Sequence, residues 1–190
     1  MPRVEAASPR ERSLTEVSVD RRRSIYLEAV RVDLTTRAGA TVRVPGAELA
    51  RCVQGALRAS GAPEPASVAL VLTDDEELAD LNREHMGVDG PTDVLSFPML
   101  PPEAFPRRPT RSRRKGRAPR THIGDIAISV ERAAEQAEQG RGGQTGDVRW
   151  SAADELRLLV THGTLHLCGW DHGEPVEERA MRDLEQRLLA

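Results

Sequence analysis

The segment Leu158-Leu159-Val160-Thr161-His162-Gly163-Thr164-Leu165-His166-Leu167-Cys168-Gly169-Trp170-Asp171-His172 decides what the rest of the chain must be built around. Three of the five histidines fall in its last eleven residues. On a helix, positions i and i+4 share one face, so His162 and His166 can aim both imidazoles at one point. A helix running straight on would carry His172 away. Gly169 lacks a Cβ and can take the positive φ that ends a helix and turns the chain back, so His172 can return as a third ligand. Three protein ligands with one position left over describe a catalytic zinc site rather than a structural one, which is normally closed by four. Ordinary histidines near a helix end would account for any one of these residues, but not for three at this spacing around a glycine. Cys168 is the obvious fourth candidate. It lies two residues past His166, about 200° around a helix, and reads instead as a small buried side chain.

The metzincin peptidase pattern H-E-x-x-H-x-x-G-x-x-H matches in the spacing of both helical histidines, the glycine and the third histidine. Its glutamate, the general base of those peptidases, is replaced by Gly163. The metal geometry is retained and the peptidase's proton handler is absent.

Working outward, a chain of 190 residues makes one domain with a sizeable core. Only 3% of the residues are aromatic and 30% are charged, so aliphatic side chains must build that core. The net charge of −3 excludes a general polycation, and any attraction to nucleic acid must be local. The two cysteines, the lack of an apolar leader in Met1–Arg23 and the lack of any run long enough to span a membrane predict a cytoplasmic protein with reduced thiols.

Residues 1–23 are polar and aperiodic and are expected to form a flexible tail, followed by a single domain over 24–190. From Ser24 the alternation Ile25, Leu27, Ala29 shifts phase at Val30, Val32 and Leu34, which predicts one strand with a bulge. Gly46–Ser60 has helical spacing with a stop at Gly61, and Val68–Leu72 is a strand. Thr73–Glu76 caps a helix over about 75–85. Thr92–Met99 reads as an edge strand because Pro98 cannot donate to a ladder. Residues 101–121 hold eight basic residues against one Glu and form a loop insertion. His122–Val130 is a buried strand leading into a helix that ends near Gln139, and Gly140–Gly146 is a glycine-rich loop. Ser151–Asp154 can cap a helix reaching about Leu167, apolar on nearly every side and therefore central. Glu174–Leu189 is an amphipathic closing helix with Met181, Leu184 and Leu188 on its core stripe. Strands followed by a late pair of helices point to an α+β domain, its strand order left open.

The string His162-Gly163-Thr164-Leu165-His166-Leu167-Cys168-Gly169-Trp170-Asp171-His172 resembles the signature of the YbeY-type endoribonucleases, the bacterial rRNA maturation factors. Further anchors of the resemblance are Leu81-Asn82, Pro91–Pro98, Gly124-Asp125-Ile126 and the closing helix around Met181, so that it spans about residues 24–189. The resemblance implies a zinc-dependent, single-strand-specific endoribonuclease of 16S rRNA 3′-end maturation and ribosome quality control. Its partners would be single-stranded rRNA, the small ribosomal subunit and assembly factors, with no membrane. It also implies a zincin-like α+β fold, a mixed sheet packed on a buried central metal-binding helix. One zinc ion would be held by His162, His166 and His172. One departure stands out: where many members carry an arginine thought to serve RNA binding or catalysis, this chain has Met86.

A divalent ion acidifies a water and polarises a phosphoryl oxygen. Asp171, beside His172, is a candidate general base, and its other reading is a partner that fixes an imidazole. Candidate RNA-binding residues are Arg83, one helical turn from Met86, and Arg107, Arg108 and Arg120 of the basic loop. His122 reads as a strand-start residue near solvent and His85 as an exposed helix-end residue. Two rival readings are a different metal-dependent hydrolase and a ribosome-assembly factor whose zinc is structural.

Overall fold

The alternating segments of the chain pair into one five-stranded sheet in the computed structural model, which describes residues 19–106, 119–140 and 150–190. The tail before residue 19, the centre of the basic loop (107–118) and the loop 141–149 lie outside the described residues. In order along the chain come β1 (Arg21–Leu27), β2 (Val30–Thr36), α1 (Gly46–Ser60), β3 (Ala66–Thr73), α2 (Asp75–Leu81), a π-helical turn (Asn82–Met86), β4 (Val94–Pro98), a short 3₁₀ turn (Pro102–Ala104), β5 (Thr121–Ser129), α3 (Val130–Glu138), α4 (Ala152–Leu167) and α5 (Pro175–Leu189). The sheet order is β1-β2-β3-β5-β4. β2, β3 and β5 run parallel, and β1 and β4 are antiparallel edges.

Two expectations need correction at the N-terminal side. The phase shift at Val30 is a hairpin and not a bulge: Leu27 pairs with Val30 across a two-residue turn in which Glu28 takes φ 49°. Both a bulge and a tight turn reset the alternation, so the pattern alone could not separate them. Arg21, Arg22 and Arg23 belong to β1 rather than to a tail, because each pairs with a residue of β2 despite its polarity. The helix expected over 75–85 is also divided. Asp74 caps α2 by accepting from the Glu77 N–H at 2.9 Å, and the last turn widens into the π turn, where buried Asn82 donates to Gly90 O at 2.9 Å.

One sheet face carries Val30, Val32, Leu34, Val68, Leu70, Leu72, Ile126 and Ile128 against α1 and α4, all within the main core. Leu49 and Val53 from α1 and Leu156, Leu159 and Val160 from α4 complete it, each under 6% exposed. Ser151 and Asp154 form a reciprocal capping box that starts α4. The opposite face is covered at one end by α2, where Leu78 meets Leu95 and Ala127. α5 lies outside α4 and α1, seating Met181 and Leu184 on Leu165 and Ala56.

Edge strand β4 fixes the height of α4 above the sheet. Ser96 Oγ donates to Gly163 O at 3.1 Å. A Cβ on Gly163 would stand 2.9 Å from Ile126 Cγ2 and 3.1 Å from Val94 Cγ2, so the helix sits on the sheet through a bare backbone. On β5, Gly124 takes φ 155° and a Cβ there would lie 2.4 Å from Phe97 O. Backbone cannot yield as a methyl can. Gly124→Ala is expected to cost at least about 2 kcal/mol through overpacking and strain, measured as a lower urea midpoint at unchanged m-value.

Candidate metal centre

The C-terminal turn of α4 builds the site. Gly169 takes φ 75°, its N–H donates to His166 O at 3.0 Å, and the Trp170 N–H donates to Leu165 O at 3.1 Å. This pair of bonds is a Schellman motif, which satisfies the helix's last carbonyls and reverses the chain. Pro102 packs against the reversal, so a Cβ on Gly169 would lie 2.7 Å from Pro102 Cβ. The Trp170 indole N–H donates to Ser60 Oγ at 3.0 Å and pins the returning segment to α1.

The reversal delivers His172 to the two helical imidazoles. Each of His162, His166 and His172 offers a ring nitrogen, and these atoms lie within 4.8 Å of one another. His162 Nε2 and His166 Nε2 are 3.0 Å apart. Ring centroids are separated by 4.5 Å for His162–His166, 5.6 Å for His162–His172 and 5.0 Å for His166–His172. His162 and His166 are half-buried and His172 is exposed at the rim. Burial, reinforced by the neighbouring His162 and His172, pulls His166 from 6.5 down to about 4. It therefore stays neutral, with a lone pair to give. All three donors are imidazole nitrogens, a set that suits zinc.

The residue that orients a ligand was missed in the sequence. Glu185 of α5 is buried, and its Oε1 lies 2.7 Å from His162 Nδ1. An ionised carboxylate only accepts, so the proton belongs on Nδ1 and the lone pair on Nε2 faces the cluster. The one signal was a glutamate on a helix face adjoining the Met181–Leu184 stripe. Asp171 does something else: exposed, its Oδ1 accepts from the backbone N–H of His172 at 2.8 Å. Cys168 is buried, and burial pushes its thiol up to about 12, with Ser60 as its hydrogen-bond partner.

The RNA-contact candidates are dispersed. Arg83 is exposed and paired with Asp80. Arg120 donates to Ala29 O at 3.0 Å and lies 5.7 Å from the Tyr26 ring centroid, at the β1–β2 hairpin. Arg107 and Arg108 fall outside the described residues. Met86 ends the π turn at 48% exposure. His122 is exposed and meets Asp125 Oδ1 at 2.8 Å, and exposed His85 packs edge-on against Phe97.

Beside the histidines opens a cleft of about 200 Å³ lined by His162, His172, Glu178, Met181, Arg182 and Glu185. No helix among the described residues is long and apolar enough to cross a membrane.

The family model described as Endoribonuclease YbeY matches residues 37–190. An Endoribonuclease YbeY of Thermobifida fusca is 44% identical over 144 residues, covering 76% of this chain and 81% of the relative. One of Salinispora tropica is 43% identical over 135 residues, covering 71% and 80%. A solution structure of a Thermotoga maritima protein aligns with TM-score 0.48 and 22% identity, over 84% of this chain and 86% of that one.

Two outcomes test the site. Glu185→Gln leaves a neutral side chain of the same shape and is expected to weaken metal affinity about 10- to 100-fold with the fold retained, read by competition with a chromophoric chelator. In metal-free protein, His166 unfolded takes up a proton at 6.5 that the folded form refuses until about 4. The unfolded state thus binds more protons in that window, and stability falls as pH drops through it. His166→Gln should flatten the slope of thermal midpoint against pH there.

Proposed function

Because the chain belongs to the YbeY endoribonuclease family, a family of hydrolytic nucleases, we propose that it is a zinc-dependent, single-strand-specific endoribonuclease acting in 16S rRNA 3′-end maturation and ribosome quality control. The observation that carries this reading is the convergence of three imidazole nitrogens within 4.8 Å at the mouth of an open cleft. The donor set fits one zinc ion: His166 is neutral, and Glu185 turns the lone pair of His162 toward its neighbours. Bound there, the ion supplies Lewis-acid charge to a phosphodiester and acidifies a water. The zincin-like element is α4, which contributes His162 and His166. Single-stranded rRNA is the substrate, presented on the small ribosomal subunit with its assembly factors, in the cytoplasm.

The chain's own residues have separable tasks. His162, His166 and His172 hold the metal. Glu185 fixes the tautomer of His162. Asp171, by accepting from the His172 N–H, sets the backbone from which the third imidazole projects, so we assign it a positioning role in preference to that of general base. Among the sequence candidates for RNA contact, Arg83 is exposed in its pair with Asp80 and open to phosphate, whereas Arg120 is engaged at the hairpin; Arg107 and Arg108 lie outside the described residues. A peptidase reading is disfavoured by Gly163, which stands where peptidases of this histidine spacing carry their general-base glutamate. A structural-metal reading draws on Met86, which stands where the family's arginine is expected.

Metal analysis of the purified protein, with cleavage of short single-stranded RNA in the presence and absence of chelator, tests the central claim. Zinc near one equivalent and chelator-sensitive cleavage are expected, and cleavage that survives complete metal removal would refute it. His172→Ala should leave the circular dichroism spectrum intact while cleavage drops to the chelated level; collapse of the fold would favour the structural metal. For Asp171→Ala, which removes the acceptor of the His172 N–H, bound zinc and cleavage should decline together, whereas Asp171→Asn, whose amide oxygen can still accept it, should retain both. Full zinc occupancy with cleavage lost would assign proton transfer to Asp171.

A further inference from the structure

Resting on that reading, we propose that Arg182 is the phosphate-binding residue of the cleft, held in reserve by Glu178 until RNA arrives. Arg182 and Glu178 both line the cleft that contains His162 and His172. Arg182 is the only lysine or arginine among the described residues that do so. Its Nη2 lies 2.6 Å from Glu178 Oε1, one helical turn away on α5, and its side chain remains 64% exposed against 43% for Glu178. A wall with two carboxylates and no cation would repel a phosphodiester. Glu185 is committed to His162 Nδ1, so the charge left to settle is that of Glu178, and Arg182 cancels it.

An exposed i, i+4 ion pair of this kind is weak and exchanges readily with water. A phosphate offers the guanidinium two oxygens in the fork geometry that Arg, unlike Lys, matches with parallel hydrogen bonds. Exchange of Glu178 for phosphate therefore costs little, and it draws the strand alongside the histidine cluster. The position of Arg182 on a helix is a further advantage. α5 is fixed through Met181 and Leu184, the residues immediately before and two after Arg182, so the guanidinium works from a rigid base.

The test uses the full-length, zinc-loaded protein, with cleavage of short single-stranded RNA and, separately, binding of a 2′-O-methyl oligonucleotide shown by gel to stay intact through the titration. Arg182→Ala is expected to raise KM and the oligonucleotide Kd about tenfold, with kcat changed far less. The slope of log affinity against log salt should become shallower by about one. Bound zinc and the unfolding midpoint should not move. Arg182→Lys should restore part of the affinity, supplying the charge without the fork. Glu178→Gln, which releases the guanidinium and removes a carboxylate from the wall, should tighten binding in the wild-type background, and by a smaller factor in Arg182→Ala, where only the repulsion is relieved. Unchanged Kd and salt slope in Arg182→Ala would overturn the proposal, as would an affinity loss that tracks zinc loss. A wild-type protein that binds the oligonucleotide without cleaving RNA would sink the nuclease reading alone, and Arg182 would still be judged on Kd.

Discussion

Two backbone hydrogen bonds at the end of α4, from Gly169 to His166 O and from Trp170 to Leu165 O, set the geometry on which the site depends. They bend the chain through a positive φ that a side chain would strain, under a proline that leaves no room for one. Without the reversal, His172 would continue away from His162 and His166 and the cluster would have two members. The bend also places the Trp170 indole on Ser60, linking the site to α1 and so to the main core. The histidine cluster is thereby built from a rigid helix end and a loop that the core holds down.

α5 completes the site from outside. Its apolar stripe, Met181 and Leu184 on Leu165 and Ala56, fixes the height of the helix over α4. That spacing brings Glu185 to hydrogen-bonding distance of His162 and puts Arg182 and Glu178 on the cleft wall. Packing of ordinary aliphatic side chains therefore decides which nitrogen of His162 faces the other two imidazoles. The charged residues of α5 act where they do because the uncharged ones are locked.

The motifs that mark the family are largely joints rather than reagents. Asn82 ties the π turn to Gly90, and Asp93 holds α3 by accepting from Gln136 at 2.8 Å. Ser96 hangs α4 from the edge strand through Gly163, and Gly124 lets β5 pass Phe97. Each removes a degree of freedom between the sheet and the histidine-bearing helix. Gly163 has a double consequence: it permits the close approach and denies the helix the glutamate that a peptidase of this spacing uses.

Much of this could be read in the sequence, since the spacing of His162, His166, Gly169 and His172 states a local geometry that no distant residue needs to supply. The helix stop at Gly61, the cap at Ser151 and the edge position signalled by Pro98 belong to the same class, because caps and ladders act over a few residues. The hairpin at Glu28, read as a bulge, and the strand character of Arg21–Arg23 were not legible, because pairing with β2 and not residue type decides them. Nor was Glu185, which lies 23 residues from His162 in sequence and 2.7 Å away in space. Local backbone chemistry is written in neighbouring residues. The partners that orient a ligand or line a cleft are chosen by how helices stack, and only the assembled fold specifies that.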